Sequence, residues 1–326
     1  MMKNRLYNLL GLAGLVILLL FLPFILSNQF HVHVLIMTLL FAFLAAAWNL
    51  LGGFAGYVSF GHAVFFGLGA YTVGVLGKNF AINPWLGCVT GGLIAIGLAA
   101  MIAFPSFQTG LRGHYFAIAT WAVAEVVRVI FMNWMYVGGA TGLMIPLTDP
   151  SVINFQYHTA KTPYYFIILC FLIAETLLIY LLTKSKIGYY LRAIKSNEKA
   201  AESLGINTTF YKHVAYYLSA FLVAMGGAFY AQYQLYFDPP MVFDVSVSMK
   251  MILPAILGGV GTIAGPIIGS AIMIPLDEFL RAHLGGAGGG INFIVYGILV
   301  ILVVVFRPQG VYEFIKLLFN RGGREQ

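Results

Sequence analysis

The sequence predicts an all-α integral membrane protein, a polytopic helix bundle of about eight full spans plus one broken or re-entrant helix pair. Three observations predict it. Of the 326 residues, 60% are hydrophobic and 9% are charged, with mean hydropathy +0.89; a soluble domain of this length needs more charge to cover its surface. Several apolar runs reach the roughly 20 residues that cross a hydrocarbon core about 30 Å thick. The net charge of +7 comes from basic residues lying between those runs, not from one stripe. Membrane orientation and anionic lipid explain that distribution; a nucleic-acid surface does not.

The elements follow in chain order. A first span, 6–26, sits behind Lys3 and Arg5 as a signal peptide would, but its apolar run is long for one and no A-x-A-like cleavage site follows. Spans 31–51 and 57–77 come next. The latter opens on Gly56-Tyr57-Val58-Ser59-Phe60-Gly61-His62 and continues through Gly67 and Gly69, so its start is irregular. Spans 85–104 and 114–133 lead to an extracytoplasmic loop, 134–162. Span 163–183 leads into a basic segment, 184–212; spans 213–235 and 289–307 follow, and then a tail, 308–326. Cys88 and Cys170 fall inside apolar runs and read as small buried hydrophobes, with no disulfide framework.

Lys and Arg set the orientation. Segment 184–212 holds Lys184, Lys186, Arg192, Lys195, Lys199 and Lys212, the densest basic stretch, and is assigned to the cytoplasm. Counting spans backwards puts 134–162 outside, Arg112 inside, Lys78 outside and the N-terminus inside. Counting forwards meets 247–280, where Gly258, Gly259, Gly261, Gly265, Pro266 and Gly269 interrupt the run. As one span, this stretch would leave Lys316, Arg321 and Arg324 outside. As two segments, about 247–257 and 266–280, joined by a buried break, it returns the C-terminus to the cytoplasm. Irregular backbone at such depth is tolerated only where it is buried in protein or lines a cavity. Asp149, Asp238, Asp244, Asp277 and Glu278 then all lie outside. Glycine-interrupted segments in both halves point to internal repeats with a pathway at their interface, although single glycines also serve close helix packing. Ser59, Gly61, His62, Gly258, Gly259, Gly261 and Thr262 are therefore candidate pathway or gate residues.

Within 184–212, Ser196 or Asn197 can cap a helix over Asn197–Leu204, and Gly205 is placed to stop it. About two turns of helix do not hold together alone in water. With Ala200, Ala201 and Leu204 on one side, the stub suits the groove of a soluble partner; an ordinary basic loop would carry the same charge.

The pattern Gly188, Arg192, Ala193, Ile194, Glu198, Ala200, Ala201, Glu202, Gly205, Ile206 resembles the EAA-type loop of ABC importer permeases. Residues 56–71, 111–128, 138–146 and 258–269 are similar, in the same order, to the LivM-type branched-chain amino-acid permeases. The resemblance implies the channel-forming permease subunit of an ATP-driven importer in a bacterial inner membrane. It implies a second, non-identical permease, two cytoplasmic ATPase subunits docking on a loop that includes Arg192, Asn197, Glu198, Ala201, Glu202 and Gly205, and a periplasmic or lipid-anchored binding protein. Related permeases for urea or short amides share much of the pattern. No G-x-x-x-x-G-K-[ST] occurs: ahead of Gly77-Lys78, Thr72 stands where the first glycine belongs. ATP and Mg are thus expected on the partner subunits, with no cofactor bound here.

Glu125 and Arg128 lie three apart in span 114–133, on one helix face. Each costs about 2.5–3.5 kcal/mol at a lipid-facing centre, so they are expected to face the bundle, either as a pathway or gate element or as a structural ion pair. Glu175 has no local cation. His62 reads as a hydrogen-bonded structural histidine or as a cavity-lining one. Two other classes stay open: an ion-coupled transporter using Glu125 or Glu175, and an intramembrane enzyme. For the enzyme, no G-x-S-x-G surrounds Ser59 and no H-E-x-x-H occurs.

Overall fold

A computed structural model describes residues 21–23, 28–157, 160–284 and a few positions beyond (294, 295, 297, 298, 301, 305, 310–313 and 316). Almost all of the expected spans 6–26 and 289–307, and most of the tail, lie outside the described residues. Within them the chain is nearly all helical, and six helices are long and apolar enough to cross a membrane.

Helix α1 (Gln29–Asn49) begins where the Asn28 side chain accepts the Phe30 amide at 2.9 Å. It is apolar on every side and correspondingly enclosed: Ile36, Leu40, Leu44 and Ala47 are all 0% exposed. It runs into a π-helical turn, Leu50–Ala55, which ends at Gly56 with φ +80°. The backbone is then irregular until α2 (His62–Phe80). The expected span 57–77 thus becomes helical only at His62; Gly61, just before it, packs so tightly on the Thr120 backbone that a Cβ there would strike its carbonyl. Asn83 caps α3 (Pro84–Gln108), with Pro84 in the first turn. Helix α4 (Gly113–Asn133) follows a turn through Gly110, φ +69°. After segment 134–161 come α5 (Thr162–Lys184), α6 (Lys186–Ser196), α7 (Glu198–Ser203) and α8 (Thr208–Gln234). Then follow α9 (Pro239–Phe243), α10 (Val245–Gly258) and α11 (Gly265–Leu284).

Helices α2, α3 and α8 pack through glycine. A Cβ on Gly69 would enter the Ala224 backbone, one on Gly227 the Phe66 backbone, and one on Gly91 would sit 3.2 Å from the Gly69 Cα. Without a hydrophobic force between helices in lipid, such close backbone approach is what holds them. At one end of the bundle, strand β1 (Leu143–Met144) pairs antiparallel with β2 (Tyr236–Phe237). Trp85 donates to the Val152 carbonyl at 2.8 Å and stacks on Phe155, ring centroids 4.6 Å apart, closing the same end.

The interruption expected within 247–280 falls between Gly258 and Gly265, but not at mid-depth. The Asn49 side chain donates to the Thr262 carbonyl at 2.8 Å and accepts the Gly261 amide at 2.9 Å. Gly261 also lies against Gly53 and the Lys195 ammonium, at the opposite end of α1 from its contact with Phe279 of α11. Helices α10 and α11 are therefore a hairpin whose turn lies at the bundle end covered by α6, rather than two halves meeting at the centre. Helix α11 has 20 residues and is about 30 Å long, but it is not among the six helices that are both long and apolar enough to cross a membrane.

Candidate functional site

The α6–α7 corner is built from its own sequence outward. Gly188 lets α6 turn tightly off α5, because a Cβ there would strike the Thr183 backbone. Arg192 donates to the Thr183 carbonyl at 2.5 Å and to the Gly188 carbonyl at 3.2 Å, covering the end of α5 where cations are favoured. Gly188, Leu191 and Ile194 bury one face of α6. Asn197 caps α7, accepting the Ala200 amide at 3.1 Å. Gly205, φ +80°, closes α7 with Gly205 N–H to the Glu202 carbonyl (2.9 Å) and Ile206 N–H to the Ala201 carbonyl (3.1 Å). This is the left-handed stop that favours glycine.

The small-residue face expected on this helix is divided. Ala201 turns into the bundle at 2% exposure, while Leu204 stands at 81%. Glu198, expected as a docking residue, is buried. Its Oε1 meets Lys212 Nζ at 2.6 Å; its Oε2 accepts the Tyr57 hydroxyl at 2.6 Å and faces Arg112 Nε at 3.1 Å. Thr208 donates to Glu202 at 2.7 Å. Burial alone would raise the Glu198 carboxyl; Lys212, Tyr57 and Arg112 outweigh it and hold it below the usual carboxylate range. One carboxylate thus ties α7 to α8, to the α3–α4 turn and to the irregular segment after α1. Lys195 adds a bond to the Gly53 carbonyl at 2.7 Å, and burial pushes its ammonium below its ordinary value. A cavity of about 320 Å³ opens here, lined by Gly56, Tyr57, Arg112, Lys195, Asn197 and Glu198 among others.

Tyr57, Arg112, Lys195 and Lys212 were not read from sequence as members of this cluster. For Lys212 a signal existed: a cation entering a long apolar helix needs an acid partner.

The expected pathway residues fall in two places. Ser59, Gly61 and His62 form a closed network. His62, 0% exposed, meets the Ser59 hydroxyl through Nδ1 at 3.0 Å and the Ser219 hydroxyl through Nε2 at 2.9 Å. Ser219 spends its single proton on the Ala47 carbonyl at 2.7 Å, so it accepts from His62, which carries a proton on Nε2. Trp48 donates to the Ser59 carbonyl and Ser248 accepts the Ala63 amide. In the described residues His62 is thus fully buried at a helix crossing with both ring nitrogens hydrogen-bonded. Gly258, Gly259, Gly261 and Thr262 form the α10–α11 turn, where Thr262 donates to the Gly259 carbonyl at 2.7 Å and accepts the Gly265 amide at 3.0 Å.

Glu125 and Arg128 do pair, Arg128 Nε to Glu125 Oε2 at 2.9 Å, with a second, shorter bond between Nη2 and Oε1. Among the described residues no other helix covers them. Their side chains are 45% and 23% exposed, on a flank of α4 that the described residues leave uncovered. Glu175 is 2% exposed, and neither carboxyl oxygen has a hydrogen-bond partner among the described residues.

A family model described as a permease component of branched-chain amino acid transport systems matches residues 30–304. The chain is 24% identical over 323 residues to the high-affinity branched-chain amino acid transport system permease protein LivM of Escherichia coli, covering 92% of this chain and 74% of that protein. It is 24% identical over 285 residues to LivH of the same organism, covering 83% and 90% respectively. A nucleoside ABC transporter permease protein, NupC of Lactococcus lactis, is 27% identical over 172 residues, 49% of this chain and 51% of that one. No solved structure matches.

Proposed function

The chain belongs to the family of branched-chain amino acid transport permease components, and from that membership we propose that it is the channel-forming subunit of an ATP-driven importer. It is a multi-pass membrane protein and not an enzyme. In the proposed assembly it pairs with a second homologous permease, two cytoplasmic ATPase subunits and a periplasmic or lipid-anchored binding protein. The cargo is a branched-chain or related small hydrophobic amino acid. The chain sits in a bacterial inner membrane with both termini cytoplasmic; the eight full spans expected from the sequence, with a broken pair over 247–280, would give that parity. Nucleotide and Mg are bound and used by the ATPases.

The observation that carries this reading is the Glu198 cluster. A short capped helix that presents Leu204 outward and is bolted inward to α8 and to the α3–α4 turn is built to pass a push from a soluble partner into the bundle. A purely topological basic loop needs no buried carboxylate. The experiment is co-expression with the proposed partners, purification as one complex, and leucine uptake into proteoliposomes loaded with ATP and Mg. ATP-dependent uptake with Walker-motif subunits in the complex is expected. Uptake that persists without ATP and collapses with an uncoupler refutes the reading in favour of ion coupling; competition by urea or acetamide but not by valine reassigns the cargo.

A further inference from the structure

The Glu125–Arg128 pair is not explained by the fold. It sits in the half of α4 that leads to segment 134–161, with Arg128 five residues from the helix end, and α4 is among the least covered of the six candidate spans. Charges facing lipid at that depth are disfavoured, so the flank carrying them is covered by protein or lined by water. Among the described residues the pair holds no second helix: its bonds run between the two side chains and from Arg128 to the Met132 sulfur at 3.4 Å. An ion pair kept to fasten helices would cross between them. Asp244, which caps α10 by accepting the Ser246 amide, lies within electrostatic reach of both members. Trp121, 47% exposed, shares the flank one turn away. The surface therefore offers a fixed guanidinium, an accessible carboxylate beside it, a second carboxylate on a neighbouring helix and an aromatic ring.

We propose that Glu125 and Arg128, with Asp244, form a transit site for the zwitterionic head of the amino-acid cargo. Arg128 takes the cargo carboxylate by charge-assisted hydrogen bonds, and Glu125 and Asp244 take its ammonium. With no cargo present the two side chains neutralise each other, which keeps the site affordable within the membrane. The apolar side chain of the cargo is left to Trp121 and the uncovered apolar surface of α4. The proposal rests on the permease reading: if the unaltered complex shows no ATP-driven uptake, that reading fails; if it transports, the variants below test the site alone.

The test uses the complete reconstituted complex and radiolabelled leucine. Arg128→Gln and Glu125→Gln are each expected to lower the uptake rate about tenfold or more, one charge-assisted hydrogen bond each. The reversed pair Glu125→Arg/Arg128→Glu keeps the ion pair but inverts its order along the helix, and it is expected to stay as slow as the single variants. In a Cys170→Ser background, Glu125→Cys is expected to react with a membrane-impermeant charged thiol reagent and to be protected by leucine during turnover. Recovery of uptake in the reversed pair makes the residues a structural pair and overturns the proposal. Uptake unchanged in the single variants, or a Glu125→Cys thiol that the reagent never reaches, overturns it as well.

Discussion

Replacing Lys212 with methionine removes the nearest cation from a buried carboxylate while keeping most of the volume of the side chain. Lys212 is 2% exposed and its ammonium lies 2.6 Å from Glu198, whose side chain is 6% exposed. Breaking a buried pair by deleting one member costs about 3–5 kcal/mol, because the other charge is left uncompensated. Here the Tyr57 hydroxyl and Arg112 remain, and Arg112 is 45% exposed and partly screened. The loss therefore falls near the lower end, about 3 kcal/mol, which shifts the docked-to-released ratio of α7 on the order of 100-fold. Trypsin cleavage at Lys199 reads this directly, since Lys199 lies within α7 and cleavage follows the released population when reclosing is fast. The rate in detergent is expected to rise on the order of 100-fold. In the double variant Glu198→Gln/Lys212→Met, with no stranded charge, most of the protection should return. A single-variant rise of less than about threefold, or a double variant no better than Lys212→Met, would show that the cluster does not hold α7.

The same cluster predicts a pH dependence. Because the folded Glu198 carboxyl is held below its unfolded value of about 4.5, its contribution is full above that value and lost as pH falls through the lower folded value. Protection from hydrogen exchange across 197–205, measured as the rate relative to the intrinsic rate at each pH, should stay constant from pH 8 down to about pH 5 and fall only below; protection that falls on going upward from pH 5 has the wrong sign and rules this account out. Leu204→Ser should leave trypsin protection of α7 unchanged, since Leu204 is 81% exposed, and should weaken retention of the ATPase subunits on the purified permease. Equal retention removes Leu204 from the docking surface. Gly227→Ala should destabilise the bundle by about 1–3 kcal/mol, because the added methyl meets the Phe66 backbone. A thermal midpoint in detergent equal to the parent's would contradict that packing.

The spans were legible because hydrocarbon demands length and apolarity, and both are local: 85–104, 114–133 and 163–183 lie within a few residues of α3, α4 and α5. The Asn197 cap and the Gly205 stop were legible for the same reason, each being a statement about four or five consecutive residues. What the sequence hid is non-local. Glu198 looks like a surface residue beside Lys199, and nothing nearby says that its partners are Tyr57 and Arg112, 141 residues away in the case of Tyr57. Helix α6 was missed because Lys184, Lys186, Arg192 and Lys195 obscure an apolar stripe of Gly188, Leu191 and Ile194. The glycines of 258–269 announced a break but not its depth; the depth depends on Asn49, an uncharged residue inside an apolar run, which binds the turn through both ends of its amide.

The glycine contacts among α2, α3 and α8 carry a consequence for motion. Where backbone rests on backbone, as Gly69 does on Ala224 and Gly227 on Phe66, no side chain can switch rotamer at the contact to let one helix slide past another. Tightly packed interiors of this kind have discrete arrangements instead of a continuum of them. The three helices are thus a keel: they keep their mutual registry in whatever states the bundle adopts. Rearrangement is expected instead where backbones stand further apart, at α4 on the flank the described residues leave uncovered and at the α10–α11 turn held by Asn49. A mutation that loosens the keel would damage every state equally, whereas one at the hairpin turn would change the balance between states.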